Sequence, residues 1–476
     1  MMYLAKKTKI VATLGPATSD KNILRRMMEE GVNVFRINFS HADYNEVKER
    51  VAMIREIEKE TGLSVALLAD LQGPKLRVGV MKEEVIVQPG DQIDFCTGKK
   101  FEGTKSRVFM NYDLFPSDVQ VGEHILLDDG KLMFKVLHTN GTDTVTTEVV
   151  QGGPLRSKKG VNLPNTNISL PALTQKDKDD AVFAISLDVD WIALSFVRHS
   201  DDLKELKELI ESHSTYKIPI IAKIEKPEAI KNIQQIIAHC DGLMVARGDL
   251  GVEMPAAEVP IIQKELVLAA KRARIPVIIA TQMMESMINT LTPSRAEVND
   301  VANSVMDGAD AVMLSAETSV GKYPVEVIQK MSAICLHVEN SKLIRVPHEP
   351  PAIRTNRFVT KSICYHAAKI ANDIEAKVIC TLTNSGYTAF QISAWRPEAH
   401  ILVFTSNHRI LSRLNLLWGV RAYFYDKHVS TDQTVDDVNQ IAVEKGFAKS
   451  GDFMVNLAAM PIVERGMVNT LRISHV

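Results

Sequence analysis

The chain has 476 residues, of which 45% are hydrophobic and 24% charged, and its formal net charge is −2 at pH 7. This composition is typical of a soluble globular protein of about three domains, and it excludes a strong general attraction for nucleic acid or an anionic membrane. The five cysteines include no C-x-x-C pair, the first residues do not resemble a signal peptide and no apolar run approaches transmembrane length, so the predicted location is the cytoplasm.

Short apolar segments that end in polar residues recur along the chain, and helical patterns lie between most of them. Such segments are typical of strands buried on both faces. They lie at Lys9–Gly15, Val34–Ser40, Val65–Asp70, Trp191–Val197, Pro219–Glu225, Gly242–Gly248, Pro276–Met283 and Ala311–Glu317. Helices are predicted at Tyr44–Thr61, Asp201–Ser212, Pro227–His239, Val259–Arg274 and Ser294–Asp307. Eight β-then-α units predict an α/β fold, a (β/α)₈ TIM barrel, with an open doubly wound sheet as the alternative.

A long interruption separates the third predicted strand from the fourth. It is rich in valine, threonine and glycine, and Leu126–Val136 reads LLDDGKLMFKV, a D-G turn between apolar runs. We therefore predict a β domain inserted into one βα loop. Because such loops open on the active face of a barrel, the insert is placed to act as a lid.

The last part of the chain predicts a third domain behind a proline-rich linker at Pro347–Pro351. A helix at about Thr355–Ala376 precedes strands at Val378–Thr383, His400–Thr405, Val420–Tyr425 and Phe453–Leu457. The predicted boundaries are residues 1–72 and 171–346 for the barrel, 73–170 for the β lid and 347–476 for a C-terminal α/β regulatory domain.

Polar side chains cluster at the carboxyl ends of the predicted barrel strands, which is where barrel enzymes carry their catalytic groups. The strand ends carry Arg36, Asn38, Ser40, His41, Asp70, Lys223, Glu225, Arg247, Gly248, Asp249, Thr281, Gln282, Ser315 and Glu317. A single charged strand end usually caps or solvates its strand. Six such ends together favour a catalytic site.

Lys223 and Glu225 fall on the same face of their strand because side chains alternate. One interpretation is a buried structural ion pair. The other is a metal carboxylate beside a cation that stabilises developing negative charge, with Asp249 as the second carboxylate. The sequence contains neither a G-x-x-x-x-G-K-[ST] nor a G-x-G-x-x-G motif, which disfavours a P-loop or Rossmann nucleotide site.

Segments spread over the whole chain resemble pyruvate kinase. They are KIVATLGPAT at Lys9–Thr18, FRINFSH at Phe35–His41, DLQGPKLR at Asp70–Arg77, SKKGVNLP at Ser157–Pro164, IAKIEK at Ile221–Lys226, MVARGDLG at Met244–Gly251, ATQMMESM at Ala280–Met287 and MLSAET at Met313–Thr318. The resemblance implies a homotetrameric enzyme of three domains. It also implies transfer of a phosphoryl group from phosphoenolpyruvate to ADP, the last step of glycolysis.

The resemblance also implies roles for individual residues. Glu225 and Asp249 match the ligands of an essential Mg²⁺ or Mn²⁺ ion, and Lys223 matches the residue that stabilises the phosphoryl group in transit. The remaining contacts implied for phosphoenolpyruvate are Arg36, Gly248, Asp249 and Thr281, and those implied for the nucleotide are Asn38, Arg77 and Lys159. Thr281 and Ser315 are both candidates for protonating the enolate.

Two further sites follow from the same resemblance. The monovalent-cation site of related enzymes matches Asn38, Ser40, Asp70 and Leu71, but Leu71, Gln72 and Lys75 depart from the potassium-dependent pattern. This predicts an enzyme that does not require K⁺, with the Lys75 ammonium in place of the ion. An effector-phosphate loop for a sugar phosphate or AMP is implied at Thr383, Asn384, Ser385, Gly386 and Thr388, although an ordinary βα turn has a similar pattern. The second effector segment, near Val463–Arg472, lacks a glycine-rich stretch, which argues against fructose 1,6-bisphosphate.

Two alternatives remain open from the residues alone. A metal-dependent lyase of the phosphoenolpyruvate/pyruvate type would share the barrel and the carboxylate pair, but it would not need Arg77 and Lys159 to clamp a nucleotide. A catalytically inactive paralogue that senses metabolites is the other alternative, and it is disfavoured because every expected catalytic position is filled.

Overall fold

The computed structural model describes residues 6–164, 166–341, 343–344, 346, 350–351, 355–427, 429–460 and 466–476. Eight parallel strands close into a barrel, in which the first strand pairs with both the second and the eighth. The barrel strands are Lys9–Thr13, Val34–Asn38, Ala66–Asp70, Trp191–Leu194, Ile220–Ile224, Gly242–Ala246, Val277–Ala280 and Ala311–Leu314. The predicted TIM barrel is confirmed, and the open doubly wound sheet is wrong.

Helices follow the barrel strands and cover the outside of the sheet. They begin and end where capping chemistry places them: Tyr44–Thr61 starts after Asp43, whose carboxylate accepts two backbone N–H groups, and ends at Gly62 with a φ of 70°. The α-helices of the barrel part of the chain are Lys21–Glu30, Tyr44–Thr61, Gln175–Ser186, Ser200–His213, Pro227–Lys231, Ile233–Ile237, Arg247–Glu253, Val259–Ala273, Arg295–Met306, Ala316–Ser319 and Pro324–Glu339. Phe115–Asp118 lies in the segment after the third strand, and Phe358–Asp373, Tyr387–Ser393, His408–Arg413 and Thr431–Glu444 lie in the C-terminal part of the chain. The single helix predicted over 227–239 is divided in two at Asn232.

The segment between the third and fourth barrel strands forms its own β structure with its own apolar core. A six-stranded sheet contains Val161–Asn162, His124–Leu127, Leu132–Thr139, Thr144–Gln151, Gln92–Cys96 and Arg107–Phe109, and a two-stranded sheet pairs Gly153–Leu155 with Val85–Val87. The predicted D-G hairpin is present, with positive φ angles at Asp128, Asp129 and Gly130. We refer to residues 73–170 as the lid.

The C-terminal α/β domain contains a five-stranded sheet. Its parallel strands are Val378–Leu382, His400–Thr405, Val420–Phe424 and Phe453–Ala458, as the sequence predicts. A fifth strand, Thr470–His475, runs antiparallel at the edge and is absent from the prediction. Of the predicted linker, residues 347–349 lie outside the described residues. None of the described helices combines the length and apolarity needed to cross a membrane.

The C-terminal domain packs against the amino-terminal end of the barrel. Lys9 Nζ donates to the carbonyl of Val420 at 2.7 Å, and Trp191 Nε1 donates to the carbonyl of Arg413 at 3.1 Å. The carboxyl ends of the barrel strands therefore face away from this domain and towards the lid.

Candidate active site

Four charged side chains from the second, third and fifth barrel strands form one buried network. Arg36 Nε donates to Asp70 Oδ2 at 2.6 Å. The ammonium of Lys223 lies 3.1 Å from Asp70 Oδ1 and 3.0 Å from Glu225 Oε1. Arg36 also donates to the hydroxyl of Thr13 at 3.0 Å. Parallel strands bring these residues together because their carboxyl ends share one edge of the barrel.

The charges of this network shift one another's pKa values. Burial alone would lower the pKa of Lys223, but Asp70 and Glu225 outweigh it and the pKa is raised above its ordinary 10.5. Burial likewise opposes ionisation of Asp70, yet Lys223 and Arg36 hold its pKa below its usual value. Burial raises the pKa of Glu225, since Lys223 compensates only partly and Asp249 repels it. Lys223 and Asp70 therefore remain charged at neutral pH.

Ser195 and Phe196, which directly follow the fourth barrel strand, complete the network. Ser195 Oγ accepts from Lys223 Nζ and donates to the carbonyl of Leu71, each at 2.6 Å. The backbone N–H of Phe196 donates to Glu225 Oε2 at 2.7 Å, and Phe196 has a φ of 54°, an uncommon conformation for a bulky residue. Our sequence analysis did not identify these two residues, although Ser195 at a strand end had the same signal as the others.

The helix Arg247–Glu253 follows the sixth barrel strand and faces the loop after the seventh. The N–H of Gly248 donates to Thr281 Oγ1 at 2.7 Å, and that hydroxyl donates to the carbonyl of Ala280 at 2.6 Å. Arg247 Nη2 donates to the carbonyl of Thr281 at 2.7 Å. These contacts hold Thr281 and Gln282 at positive φ angles of 71° and 55°, which is local strain of the kind found at functional sites.

Glu225 and Asp249 fit the requirements of a divalent cation. Asp249 raises the pKa of Glu225 by charge repulsion, which a cation bound by both carboxylates would relieve. Magnesium prefers oxygen ligands and commonly takes one or two carboxylates from a protein. Across the described ranges, no cluster of three or more His, Cys, Asp or Glu side chains is placed to hold a metal. A two-carboxylate set suits an ion whose other ligands come from water and substrate.

The three candidate nucleotide residues lie in two parts of the molecule, one in the barrel and two in the lid. Asn38 ends the second barrel strand, and its Oδ1 accepts from the N–H of Ser40 at 3.2 Å. In the lid, Arg77 donates to the carbonyl of Lys158 at 3.1 Å, and Lys159 Nζ pairs with Asp128 at 2.9 Å. The structure thus divides these residues between barrel and lid, and both lid cations have a protein acceptor.

The predicted monovalent-cation region is occupied by protein contacts. Both carboxylate oxygens of Asp70 face cations, Arg36 and Lys223. Leu71 is buried, and Lys75 is exposed at the base of the lid. Burial lowers the pKa of His41, with the positive charge of Lys75 as the next cause, so the Lys75 ammonium acts on the end of the second strand.

The candidate effector loop lies at the carboxyl end of the first C-terminal strand. Thr383 Oγ1 accepts from the N–H of Gly386, whose φ is 77°, and the carbonyl of Asn384 accepts from Asn407. Thr383 and Asn384 line a cavity of about 270 Å³, whereas Ser385 does not. Thr388 is buried, with its hydroxyl 2.9 Å from that of Thr381. Residues 463–465 of the second predicted effector segment lie outside the described residues.

Ser315 and Glu317 follow the eighth barrel strand. The carboxylate of Glu317 accepts from the N–H groups of Ser315, at 2.7 Å, and Met284, at 3.1 Å. Glu317 therefore ties together the loops after the seventh and eighth strands.

Comparisons with known proteins agree with this arrangement. The family described as "Pyruvate kinase, barrel domain" matches residues 5–328, and "Pyruvate kinase, alpha/beta domain" matches residues 361–474. Pyruvate kinase 2 of Synechocystis is 43% identical over 462 residues, covering 96% of this chain and 77% of the relative. Pyruvate kinase of Geobacillus stearothermophilus is 41% identical over 478 residues, covering 99% of this chain and 81% of the relative. A crystal structure of a pyruvate kinase from Cryptosporidium parvum superposes with a TM-score of 0.92 at 31% identity, over 100% of this chain and 97% of that one.

Proposed function

This chain belongs to the pyruvate kinase family, and from that premise we propose that it transfers the phosphoryl group of phosphoenolpyruvate to ADP, giving pyruvate and ATP. The observation that carries the proposal is the buried network of Arg36, Asp70, Lys223 and Glu225 at the mouth of the barrel. Phosphoryl transfer depends on positioning and on neutralising oxygen charge, and this network supplies both.

Arg36 and Lys223 neutralise the phosphoryl group, and Asp70 orients them. Each oxygen of Asp70 meets one cation, so the guanidinium and the ammonium are fixed relative to each other. The charges of Asp70 and Glu225 outweigh burial and raise the pKa of Lys223, which favours its charged form. Lys223 is therefore an electrostatic stabiliser of the group in transit rather than a proton donor.

Glu225 and Asp249 would hold the divalent cation, Mg²⁺ or Mn²⁺. When bound, such a cation neutralises phosphate oxygens and stabilises enolate charge. The chain's own contribution is to orient the carboxylates: Phe196 N–H fixes one oxygen of Glu225, and the helix Arg247–Glu253 carries Asp249. Gly248 and Thr281 belong to the surface that receives the rest of phosphoenolpyruvate.

Thr281 is our candidate for protonating the enolate, directly or through water. Its hydroxyl is held by two hydrogen bonds, from the N–H of Gly248 and to the carbonyl of Ala280. Ser315, the other candidate, lies after the eighth strand, where its N–H is engaged by Glu317.

The nucleotide would bind between barrel and lid. Asn38 approaches it from the barrel, while Arg77 and Lys159 approach from the lid after exchanging their present acceptors for phosphate oxygens. Closure of the lid would exclude water from the phosphoryl group. This division of labour supports domain boundaries at residues 1–72 with 171–346, 73–170 and 347–476.

We further propose that the enzyme is independent of potassium, because Lys75 places an ammonium near the end of the second strand. An effector of the sugar-phosphate or AMP type would bind in the cavity beside Thr383 and Asn384. A homotetramer in the cytoplasm follows from the family resemblance, and the five free cysteines, all buried, suit a reducing compartment.

A coupled assay tests the proposed function directly. Purified protein should form pyruvate from phosphoenolpyruvate only when ADP and a divalent cation are both present, with ATP produced in equal amount. Pyruvate formed without ADP would favour the lyase. Substrate binding without turnover would favour the inactive paralogue.

A further inference from the structure

A cluster of two buried residues and the half-buried Asn162 joins the lid to the barrel loops that carry the candidate metal carboxylates. Glu253 ends the helix Arg247–Glu253, and its Oε1 accepts from Lys226 Nζ at 2.7 Å and from Asn162 Nδ2 at 2.9 Å. Both Glu253 and Lys226 are buried. Glu253 Oε2 is also buried and has no hydrogen-bond partner among the described residues. None of the three residues has a part in the mechanism above.

The cluster stands next to the candidate metal site along the chain and in space. Lys226 follows Glu225 directly, and Glu253 lies four residues after Asp249, on the same face of their helix. Asn162, Lys226, Asp249 and Glu253 line one small cleft of about 60 Å³ between barrel and lid. The ammonium of Lys226 thus shares a cleft with a carboxylate that would bind the divalent cation.

A buried ammonium requires a carboxylate partner, because an unpaired charge in the interior is costly. Glu253 is that partner here. Without its negative charge, Asp249, the candidate metal carboxylate that lines the same cleft, becomes an alternative partner of Lys226. An ammonium bound to Asp249 would compete with a divalent cation for the same oxygens.

Asn162 adds a mechanical link. It belongs to the lid strand Val161–Asn162, which pairs with His124–Leu127 in the six-stranded sheet. Its side-chain bond to Glu253 therefore ties this sheet to the helix that carries Asp249. Movement of the lid must break this bond or move the helix.

We infer that Glu253 is a positioning residue with two tasks. It holds Lys226 away from the candidate metal carboxylate Asp249, and it anchors the lid to the metal-carrying helix through Asn162. The inference rests on the proposed function, because it takes Glu225 and Asp249 as the ligands of a divalent cation.

Direct measurement of Mn²⁺ binding by electron paramagnetic resonance, without substrates, tests the first task. Glu253→Gln removes the charge and keeps an oxygen that can accept from Asn162. Its Mn²⁺ dissociation constant should rise roughly 10- to 100-fold, the usual effect of losing a partner behind a metal ligand. The double variant Lys226→Met/Glu253→Gln should return to near the wild-type value, because the competing ammonium is gone. Glu258→Gln, an exposed glutamate nearby, is the matched control and should bind Mn²⁺ normally.

Asn162→Ala tests the second task. It leaves the Lys226–Glu253 pair intact, so Mn²⁺ affinity should stay near the wild-type value. Limited proteolysis should cut the lid faster than in the wild type, and the KM for ADP should rise more than kcat falls. A merely structural asparagine would lower the melting temperature without this split between KM and kcat.

Several results would overturn the inference. They are unchanged Mn²⁺ affinity in Glu253→Gln, a double variant as weak as the single one, and an Asn162→Ala lid cut no faster than the wild type. If Glu253→Gln does not fold, the double variant is compared with the wild type directly, and weakened Mn²⁺ binding contradicts the inference. Wild-type protein that binds Mn²⁺ but transfers no phosphoryl group would refute the proposed function alone.

Discussion

The two ends of the barrel each hold a buried cluster of charges, and the clusters differ in what lies beside them: the C-terminal domain at one end and a cleft at the other. At the end covered by the C-terminal domain, Asp310 accepts from Lys271 and from the N–H of Val277 through one oxygen. Its other oxygen lies 3.2 Å from Arg396 and accepts from the N–H of Trp418 at 3.3 Å. Both oxygens of this carboxylate are therefore engaged, by groups from two domains.

At the cleft end, the charges are also paired, but two carboxylates lie near each other and the backbone is strained. Glu225 and Asp249 repel each other, and the backbone at Phe196, Thr281 and Gln282 has positive φ angles. Repulsion and strain of this kind persist only when the surrounding structure imposes them. Burial and charge alone thus do not distinguish an active site from a structural ion cluster. Repulsion and strain occur at the other end as well, where burial and the charge of Arg396 lower the pKa of Lys271 to about 7 and Arg396 has a φ of 49°. What sets the candidate site apart is the cleft between barrel and lid, which Asp249 lines.

The largest effect should come from removing a cleft carboxylate. Glu225→Ala or Asp249→Ala should abolish turnover at ordinary Mg²⁺ concentrations, a loss of roughly 10³-fold or more, because each takes away a ligand of the cation. Much higher Mg²⁺ should restore part of the activity. Steady-state kinetics over a Mg²⁺ series measures this. A near-normal kcat at low Mg²⁺ would show that the metal lies elsewhere.

Lys223→Met should lower kcat by about 10²- to 10³-fold, equivalent to ~3–4 kcal/mol of transition-state stabilisation. Binding of phosphoenolpyruvate should change little, since the ammonium matters most while the phosphoryl group is between donor and acceptor. Lys271→Met is the matched control: it removes a buried lysine from the opposite end and should lower stability while kcat is kept. A rise in KM alone for Lys223→Met would make Lys223 only a binding residue.

Asp310→Asn should lower the free energy of unfolding without lowering kcat, which would distinguish the structural cluster from the candidate active site. It leaves Lys271 and Arg396 without their carboxylate, and breaking a buried ion pair in this way typically costs ~3 kcal/mol or more. Denaturant unfolding should report the loss, while kcat per folded molecule stays near that of the wild type. A variant as stable as the wild type would show that the cluster does not hold the two domains together.

The parts of this structure that could be predicted from sequence are those with local signals. Strands buried on both faces leave continuous apolar runs, and the D-G turn at Asp129 and Gly130 marks a hairpin by its own chemistry. Thr470–His475 escaped prediction because this edge strand has no fully buried residue and so has no apolar run. The break at Asn232 in the predicted helix 227–239 was missed because no glycine or proline lies beside it in the sequence.

The candidate site followed the same rule. Charged residues at strand ends could be found because the barrel topology brings strand ends together. The contact between Asn162 and Glu253 spans 91 positions and could not be found, because no local pattern at either residue indicates the other. Ser195 was overlooked since a neutral hydroxyl at a strand end is chemically unremarkable until an ammonium is seen beside it.

His400 of the C-terminal domain predicts how the stability of the protein depends on pH. Burial, reinforced by Lys7 and Arg421, lowers the pKa of His400 from 6.5 to about 4. Between pH 4 and 6.5, His400 is therefore mostly neutral in the folded protein and mostly protonated in the unfolded chain. The stabilisation is complete above pH ~6.5 and is lost as the pH falls towards 4.

His400→Gln should therefore flatten the acid side of the stability curve. Between pH 6.5 and 4, the wild type should lose about 2 kcal/mol more unfolding free energy than the variant. Denaturant titrations at several pH values measure this difference. His366→Gln, at an exposed histidine of the same domain, should leave the wild-type slope unchanged. Parallel curves for wild type and His400→Gln would contradict the assignment.

The smallest expected effect concerns the charge balance at the cleft itself. The resemblance to pyruvate kinases implies a monovalent-cation site at Asn38, Ser40 and Asp70, which we propose is not used by potassium here. Here both oxygens of Asp70 already face Arg36 and Lys223, and the neighbouring Leu71 is buried and apolar. Lys75 is exposed at the lid base, and its charge helps to lower the pKa of His41, after the larger effect of burial. A mobile ammonium near this strand end can supply the charge that an ion supplies elsewhere.

Activity should accordingly be similar in Na⁺, K⁺ and tetramethylammonium salts at equal ionic strength. Lys75→Glu should lower activity severalfold without potassium and make it respond to K⁺, because the carboxylate removes the ammonium and offers an oxygen ligand. Lys100→Glu makes the same charge change on the exposed surface of the lid and should leave the salt response flat. A simple loss of positive charge would lower the activity of both variants alike in every salt. The increase in activity of Lys75→Glu on adding K⁺ is therefore the measurement that decides. Strong K⁺ activation of the unmodified enzyme would refute the replacement of the ion by Lys75.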